Sequence, residues 1–141
     1  MTPDTRSADQ VRAVVDAIED GKIVLQLPRS DYRLHLRLTA PAESVTTPVG
    51  KRIRGVIEGQ ALKALKTHGG GHFIEPVIGE PRIVTGRVLQ IDQPARRVLV
   101  EAAAPMWIET ERDQDFSVFE EGGLVNFYLA SGTRFTPAEQ P

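Results

Sequence analysis

One pattern occurs twice in this chain, and that limits it to folds that a single small unit can build in two copies. The first occurrence is Val49-Gly50-Lys51-Arg52-Ile53-Arg54-Gly55-Val56-Ile57-Glu58. Ile53 and Ile57 fall on one side of an extended chain with Gly55 between them, and Arg52 and Arg54 fall on the other. That is the period of a half-buried strand. The second occurrence is Gly122-Gly123-Leu124-Val125-Asn126-Phe127-Tyr128-Leu129, where Gly122 matches Gly50, Val125 matches Ile53 and Leu129 matches Ile57. Upstream, Ala13-Val14-Val15-Asp16-Ala17-Ile18-Glu19 aligns with Gly86-Arg87-Val88-Leu89-Gln90-Ile91-Asp92. Each segment runs through a turn into an apolar strand, Ile23-Val24-Leu25-Gln26-Leu27 and Val98-Leu99-Val100-Glu101-Ala102. The offset is 73 upstream and 72 downstream, so a loop absorbs the difference. A one-residue slip inside a strand would instead turn its apolar face to water. The alternative is chance likeness between two strand-rich halves.

At 141 residues the chain is one domain or two very small ones. A unit of about 70 residues buries only a thin core alone, and two side by side gain a shared interface. With 40% hydrophobic and 26% charged residues, the composition is globular rather than disordered. There is no cysteine, which excludes disulfides, thiolate zinc sites and thiol nucleophiles. Residues 1–7 lack the apolar core of a signal peptide, and no apolar run approaches membrane-spanning length. A cytoplasmic location without membrane contact is the expectation. Net charge is −2 but uneven: residues 1–70 hold 11 Lys and Arg against 8 Asp and Glu, and residues 71–141 hold 6 against 11. This argues against a general nucleic-acid coat and leaves room for a local basic face in the first half.

Residues 11–19 are ambiguous by local pattern. Ser7-Ala8-Asp9-Gln10 fits a capping box, and Val11, Val14, Val15 and Ile18 have helical spacing. The second copy, Val84 to Ile91, leads into a Pro-containing turn and a strand, so the repeat predicts strand here too. Asp20-Gly21 is a favourable hairpin turn. Tyr32, Leu34, Leu36 and Leu38 alternate with Arg33, His35 and Arg37 in the clearest strand of the chain. Gln60 to Lys66 consists of strong helix formers and predicts a helix stopped near Gly69. Single helical turns are expected around Ala42-Glu43-Ser44-Val45 and Asp115-Phe116-Ser117-Val118-Phe119. Pro105 places Met106-Trp107-Ile108-Glu109 at an edge or a bulge.

The expected fold is therefore all-β: two similar small barrels from an internal duplication, with one or two short helical turns. Residues 9–66 form the first barrel, 67–82 a Gly-rich linker around Gly69-Gly70-Gly71, and 83–136 the second, packed as one rigid body. The expected core is Leu25, Leu34, Leu36, Ile53, Ile57, Ile91, Val98, Val100, Val125 and Leu129, with Phe127 also turned inward.

Hairpin, strand, short turn and strand in each half resemble the oligonucleotide/oligosaccharide-binding class of small barrels. They also resemble the tandem molybdate-binding barrels, whose final strand is likewise entered through a Gly-Lys element, here Gly50-Lys51. The second resemblance implies a small-oxyanion site near the barrel ends, built from hydroxyl- and amide-rich segments. The matching segment here, Glu58-Gly59-Gln60-Ala61, carries a carboxylate and no hydroxyl.

Catalytic and metal chemistry find little support. His68 and His72 flank three glycines, which disfavour the helix that would put both on one face, and no metal site or cofactor is expected. Ser7, Ser30, Ser44, Ser117 and Ser131 lack a motif that pairs them with a base. His35 lies between Arg33 and Arg37, whose charges disfavour the imidazolium that a general base must become. Glu109, Glu111, Asp113 and Asp115 read as a solvated charge run rather than paired acids. No catalytic residue is assigned, and the chain is expected not to be an enzyme.

The expected function is a non-catalytic binding or assembly module. One alternative is a single-stranded nucleic-acid or oligosaccharide binder using Arg33, His35, Arg37, Arg52 and Arg54; another is a small-oxyanion binder of the molybdate type. Turning Met106 and Ile108 inward leaves Trp107, Glu109 and Glu111 outside, opposite in character to Arg33, His35 and Arg37 of the first copy. Such unlike faces predict a homo-oligomer with Trp107, Glu109 and Glu111 at its interface.

Overall fold

The computed structural model describes residues 8–138. The chain is all-β, as the sequence predicts. In order the strands are β1 (Gln10–Glu19), β2 (Lys22–Gln26), β3 (Arg33–Leu38), β4 (Arg52–Lys66), β5 (Phe73–Glu75), β6 (Ile78–Gly79), β7 (Ile83–Asp92), β8 (Arg97–Glu101), β9 (Pro105–Glu109), β10 (Leu124–Leu129) and β11 (Arg134–Pro137). Two 3-10 turns, Ala42–Ser44 and Phe116–Val118, fall where the sequence predicts single helical turns. Hydrogen bonds from Ser117 to the Asp115 side chain cap the second turn and hold that carboxyl below its ordinary pKa. No helix among the described residues is long and apolar enough to cross a membrane.

β4 is 15 residues long and pairs with four other strands. β1 lies along Arg52–Val56, β11 along Gly55–Glu58, β9 along Glu58–Gln60 and β10 along Ala61–Lys66. The pairings β1–β2–β3–β11–β4 return to β1, and the pairings β4–β10–β7–β8–β9 return to β4. Two closed rings of five strands thus share β4. The closing strand of each ring comes from the other half of the chain. β11 follows β10 in sequence yet completes the first ring, and the C-terminal part of β4 completes the second. The stretch at 67–82 is tied to both: β5 pairs with β7 and β6 with β3.

The registers of the two rings run in step. Gln10 faces Val56 and Ile83 faces Tyr128; Ala13 faces Ile53 and Gly86 faces Val125. Ile18 faces Ile23 and Ile91 faces Val98. Asp16 is the extra residue of a bulge in β1, and Leu89 is the extra residue of a bulge in β7. Gly50 and Gly122 have φ of 89° and 85°, and their amides bond Val15 O and Val88 O, both at 2.8 Å.

Two expectations need correction. Gln60 to Lys66 is the second half of β4, not a helix. Leu62 has no partner in the register between Ala61–Leu129 and Lys63–Tyr128, so it is a bulge residue. The bulge separates the buried Ala61 and Ala64 by three positions, which imitates a helical period. Propensity then yields to ladder pairing. β9 begins at Pro105 but is not an edge strand, because β8 flanks it on one side and Trp107 to Glu109 pair with β4 on the other.

The predicted core residues Leu25, Leu34, Leu36, Ile53, Ile57, Val98, Val100, Val125, Leu129 and Phe127 are buried, and Ile91 packs against the core in part. Gly55 is required by close approach rather than by its turn geometry. A Cβ there would lie 2.4 Å from both Phe135 Cζ and Thr136 O. The Phe135 ring therefore fills the interior opposite Gly55 and locks β11 to β4. Gly55→Ala is expected to cost roughly 1–3 kcal/mol in denaturant melts, the range of overpacking. An unchanged midpoint would contradict this packing.

Candidate functional site

On β3 the inward residues are Leu34, Leu36 and Leu38, which leaves Arg33, His35 and Arg37 on the outer side. β6 pairs with Arg33 and Leu34, and β11 pairs with Arg37 and Leu38. A cleft of about 390 Å³ lies along this part of β3, lined by Lys22, His35, Arg37, Glu80, Ser131, Gly132 and Thr133 among others. Thr133 is buried, and its Oγ1 has no hydrogen-bond partner among the described residues.

Two cations in this cleft face each other. Lys22 of β2 is the direct cross-strand partner of Arg37 of β3. Directly opposed side chains of an antiparallel pair lie about 5 Å apart at Cβ, so like charges there repel. Among the described residues neither forms an ion pair, although Glu19 of β1 faces Lys22 from its other side. Their neighbours differ. Arg33 Nη1 bonds Asp16 Oδ1 at 2.7 Å, and Arg134, beside Arg37 on β11, meets Glu58 at 3.3 Å. Glu80 lines the same cleft, but its Oε1 accepts the Gly132 N–H at 2.8 Å.

The predicted basic set is therefore divided. His35 and Arg37 share the cleft, and Arg33 is neutralised by Asp16 from the β1 bulge. Arg52 and Arg54 are exposed on β4, which β11 separates from β3 on one side of the ring and β1 and β2 separate from it on the other. Arg54 faces Arg12 of β1. The five residues do not form one strip.

The corresponding place in the second ring is arranged differently. There Arg97 faces Glu109 across β8 and β9, so an opposite-charge pair stands where Lys22 and Arg37 stand. Trp107 holds the place of His35. It does not stand outside as the sequence predicts: it is 7% exposed, its ring lies 4.0 Å under the Arg97 guanidinium, and its Nε1 donates to Asp9 Oδ2 at 2.9 Å. A charged group stacked over an indole explains why an outward strand position can be buried. Glu109 and Glu111 are exposed. The hollow on this side, lined by Glu58, Arg97, Trp107, Glu109 and Arg134, is smaller, about 220 Å³.

A larger hollow, about 510 Å³, is bounded by Glu75, Pro76, Arg82, Ile83, Tyr128 and Leu129 and is mostly apolar. It offers fewer convergent polar groups than the cleft at Arg37. His68 and His72 are exposed, and among the described residues no three His, Asp or Glu side chains are grouped to hold a metal ion. Comparison with protein-family models, curated proteins and solved structures finds no match.

Lys22, Glu80 and Gly132 are the site residues that sequence reading missed. Lys22 sits after the Asp20-Gly21 turn, and only the hairpin register could have placed it opposite Arg37. Glu80 and Gly132 lie 52 positions apart and meet through β6 and β11, which leave no local pattern. Trp107 is the chain's single tryptophan, so its environment can be read directly. Native emission is expected to be blue-shifted and poorly quenched by iodide, moving to the red on unfolding. A native spectrum like that of a free indole would contradict the Arg97–Trp107–Asp9 arrangement.

Proposed function

We propose that the protein is a non-catalytic binding module, built by duplication of one small barrel, that takes a compact anionic group in the cleft of its first ring. The common registers and the paired bulges of the two rings support the duplication. The observation that carries the binding reading is the opposition of Lys22 and Arg37, neither of them in an ion pair among the described residues, beside a cleft of about 390 Å³. An anion between them converts a repulsion into two charge-assisted contacts.

Compactness follows from the spacing of charge. A single-stranded nucleic acid needs a cationic groove along its backbone together with stacking faces. Here Arg33 is taken by Asp16, Arg52 and Arg54 stand on β4 beyond β11, and Trp107 is covered by Arg97. Trp107 also has little surface left for a second molecule to bury, so the geometry favours ligand binding over self-assembly through that face.

Inorganic phosphate is expected to raise the melting temperature in a concentration-dependent way. Arg37→Gln should abolish the rise, and Arg52→Gln should leave it intact. An oligonucleotide should bind weakly, with a salt slope that reflects about one or two phosphates rather than many. No stabilisation by phosphate would overturn the anion reading. A steep salt slope equally sensitive to Arg37 and Arg52 would favour a nucleic-acid strand instead.

A further inference from the structure

The cleft already contains an anion of its own. Glu80 Oε1 accepts the Gly132 N–H at 2.8 Å, and the same carboxylate forms no ion pair with Lys22 or Arg37 among the described residues. Resting on the binding reading above, we propose that Glu80 is a built-in competitor. It occupies the backbone amide that the oxyanion of the ligand uses, and ligand binding displaces it.

The geometry explains why Glu80 can be both present and replaceable. Its backbone is fixed on both sides. It follows Gly79, which β6 pairs to Leu34, and it precedes Pro81, which is buried. A residue before proline is confined to extended conformations. The side chain thus approaches Gly132 from the β6 side only. Gly132 has φ of 100°, and a Cβ placed on it would lie 3.9 Å from the Arg37 guanidinium. The Gly132 amide and the guanidinium therefore border the same small volume. Glu80, tethered to β6, reaches the amide but not the charge.

An untethered oxyanion has no such restriction. It can accept the Gly132 N–H and meet Arg37 and Lys22 at once, and charge-assisted hydrogen bonds are the stronger kind. Glu80 has the advantage of its tether, which gives it a high effective concentration. Leaving requires only a change of side-chain rotamer, with no movement of the backbone. The competition excludes weak anions and admits one that engages the amide and both cations. The ligand class is a carboxylate or phosphate oxyanion with at least two oxygens free to bridge.

The test is a titration of the whole chain with inorganic phosphate and with succinate, followed by the Gly132 amide resonance in heteronuclear NMR. Wild type, Glu80→Ala, Glu80→Gln and Arg37→Gln are compared. Removing a competitor equivalent to one hydrogen bond should tighten binding of the preferred anion roughly three- to tenfold in Glu80→Ala. Glu80→Gln, which keeps an acceptor but loses the charge, should also tighten it and guards against a folding defect in the alanine variant. Arg37→Gln should weaken it. The stronger response to phosphate or succinate identifies the oxyanion. If an anion binds the wild type but the Glu80 variants bind no tighter, or the Gly132 amide does not move, the displacement proposal fails and the binding reading stands. If neither anion binds wild type or either Glu80 variant, the binding reading fails and this inference with it.

Discussion

The backbone pairing of β4 is the constraint on which the structure depends. A five-strand ring of short strands leaves its two outer edges unpaired unless something closes it, and such edges are liabilities. Here closure is achieved by one strand long enough to serve two rings. Residues up to Glu58 pair with β1 and β11, and residues from Glu58 onward pair with β9 and β10. Because β11 comes from the end of the chain and closes the first ring, neither ring is complete without residues from both halves. Gly55 is the point of tightest fit in this exchange, since the Phe135 ring occupies the space where a side chain would stand.

The same exchange builds the cleft. Its floor is β3 of the first ring, one wall is the segment at Glu80 after β6, and the other is Ser131 to Thr133, between β10 and β11. The two rings differ at three corresponding positions. Where the second ring carries Arg97 against Glu109 with Trp107 packed beneath the guanidinium, the first carries Lys22 against Arg37 with His35 between. In the second ring Arg97 forms an ion pair with Asp92 at 3.3 Å and covers Trp107. The first ring leaves a like-charge pair beside a hollow, and this electrostatic difference is the basis of the proposed function.

Much of the fold is legible in the sequence because the alternation of apolar residues in β3, β4 and β10 survives unbroken where the strands are regular. Reading failed where bulges reset the phase. Leu62 separates Ala61 from Ala64, and the resulting spacing, in a stretch of good helix formers, imitates a helix. Asp16 does the same between Val15 and Ile18 in β1, where only the likeness to the second half points to strand. The site was half legible. His35 and Arg37 stand out on a clean strand, but the neutralisation of Arg33 by Asp16 depends on that bulge, and the Glu80–Gly132 contact joins residues 52 positions apart. Trp107 was misread because alternation predicts the side of a strand and not whether a neighbouring guanidinium covers it.

Mutual closure makes a demand on cooperativity that separate barrels would not meet. Native-state hydrogen exchange tests it most directly. The Arg37 amide, bonded to Thr133 O, reports the β3–β11 seam of the first ring, and the Val88 amide, bonded to Gly123 O, reports the second ring. Both should exchange through one opening whose free energy equals that of global unfolding, with the same dependence on denaturant. If Val88 stays protected while Arg37 exchanges through a separate opening of much lower free energy, the rings fold independently and the shared-strand account is wrong.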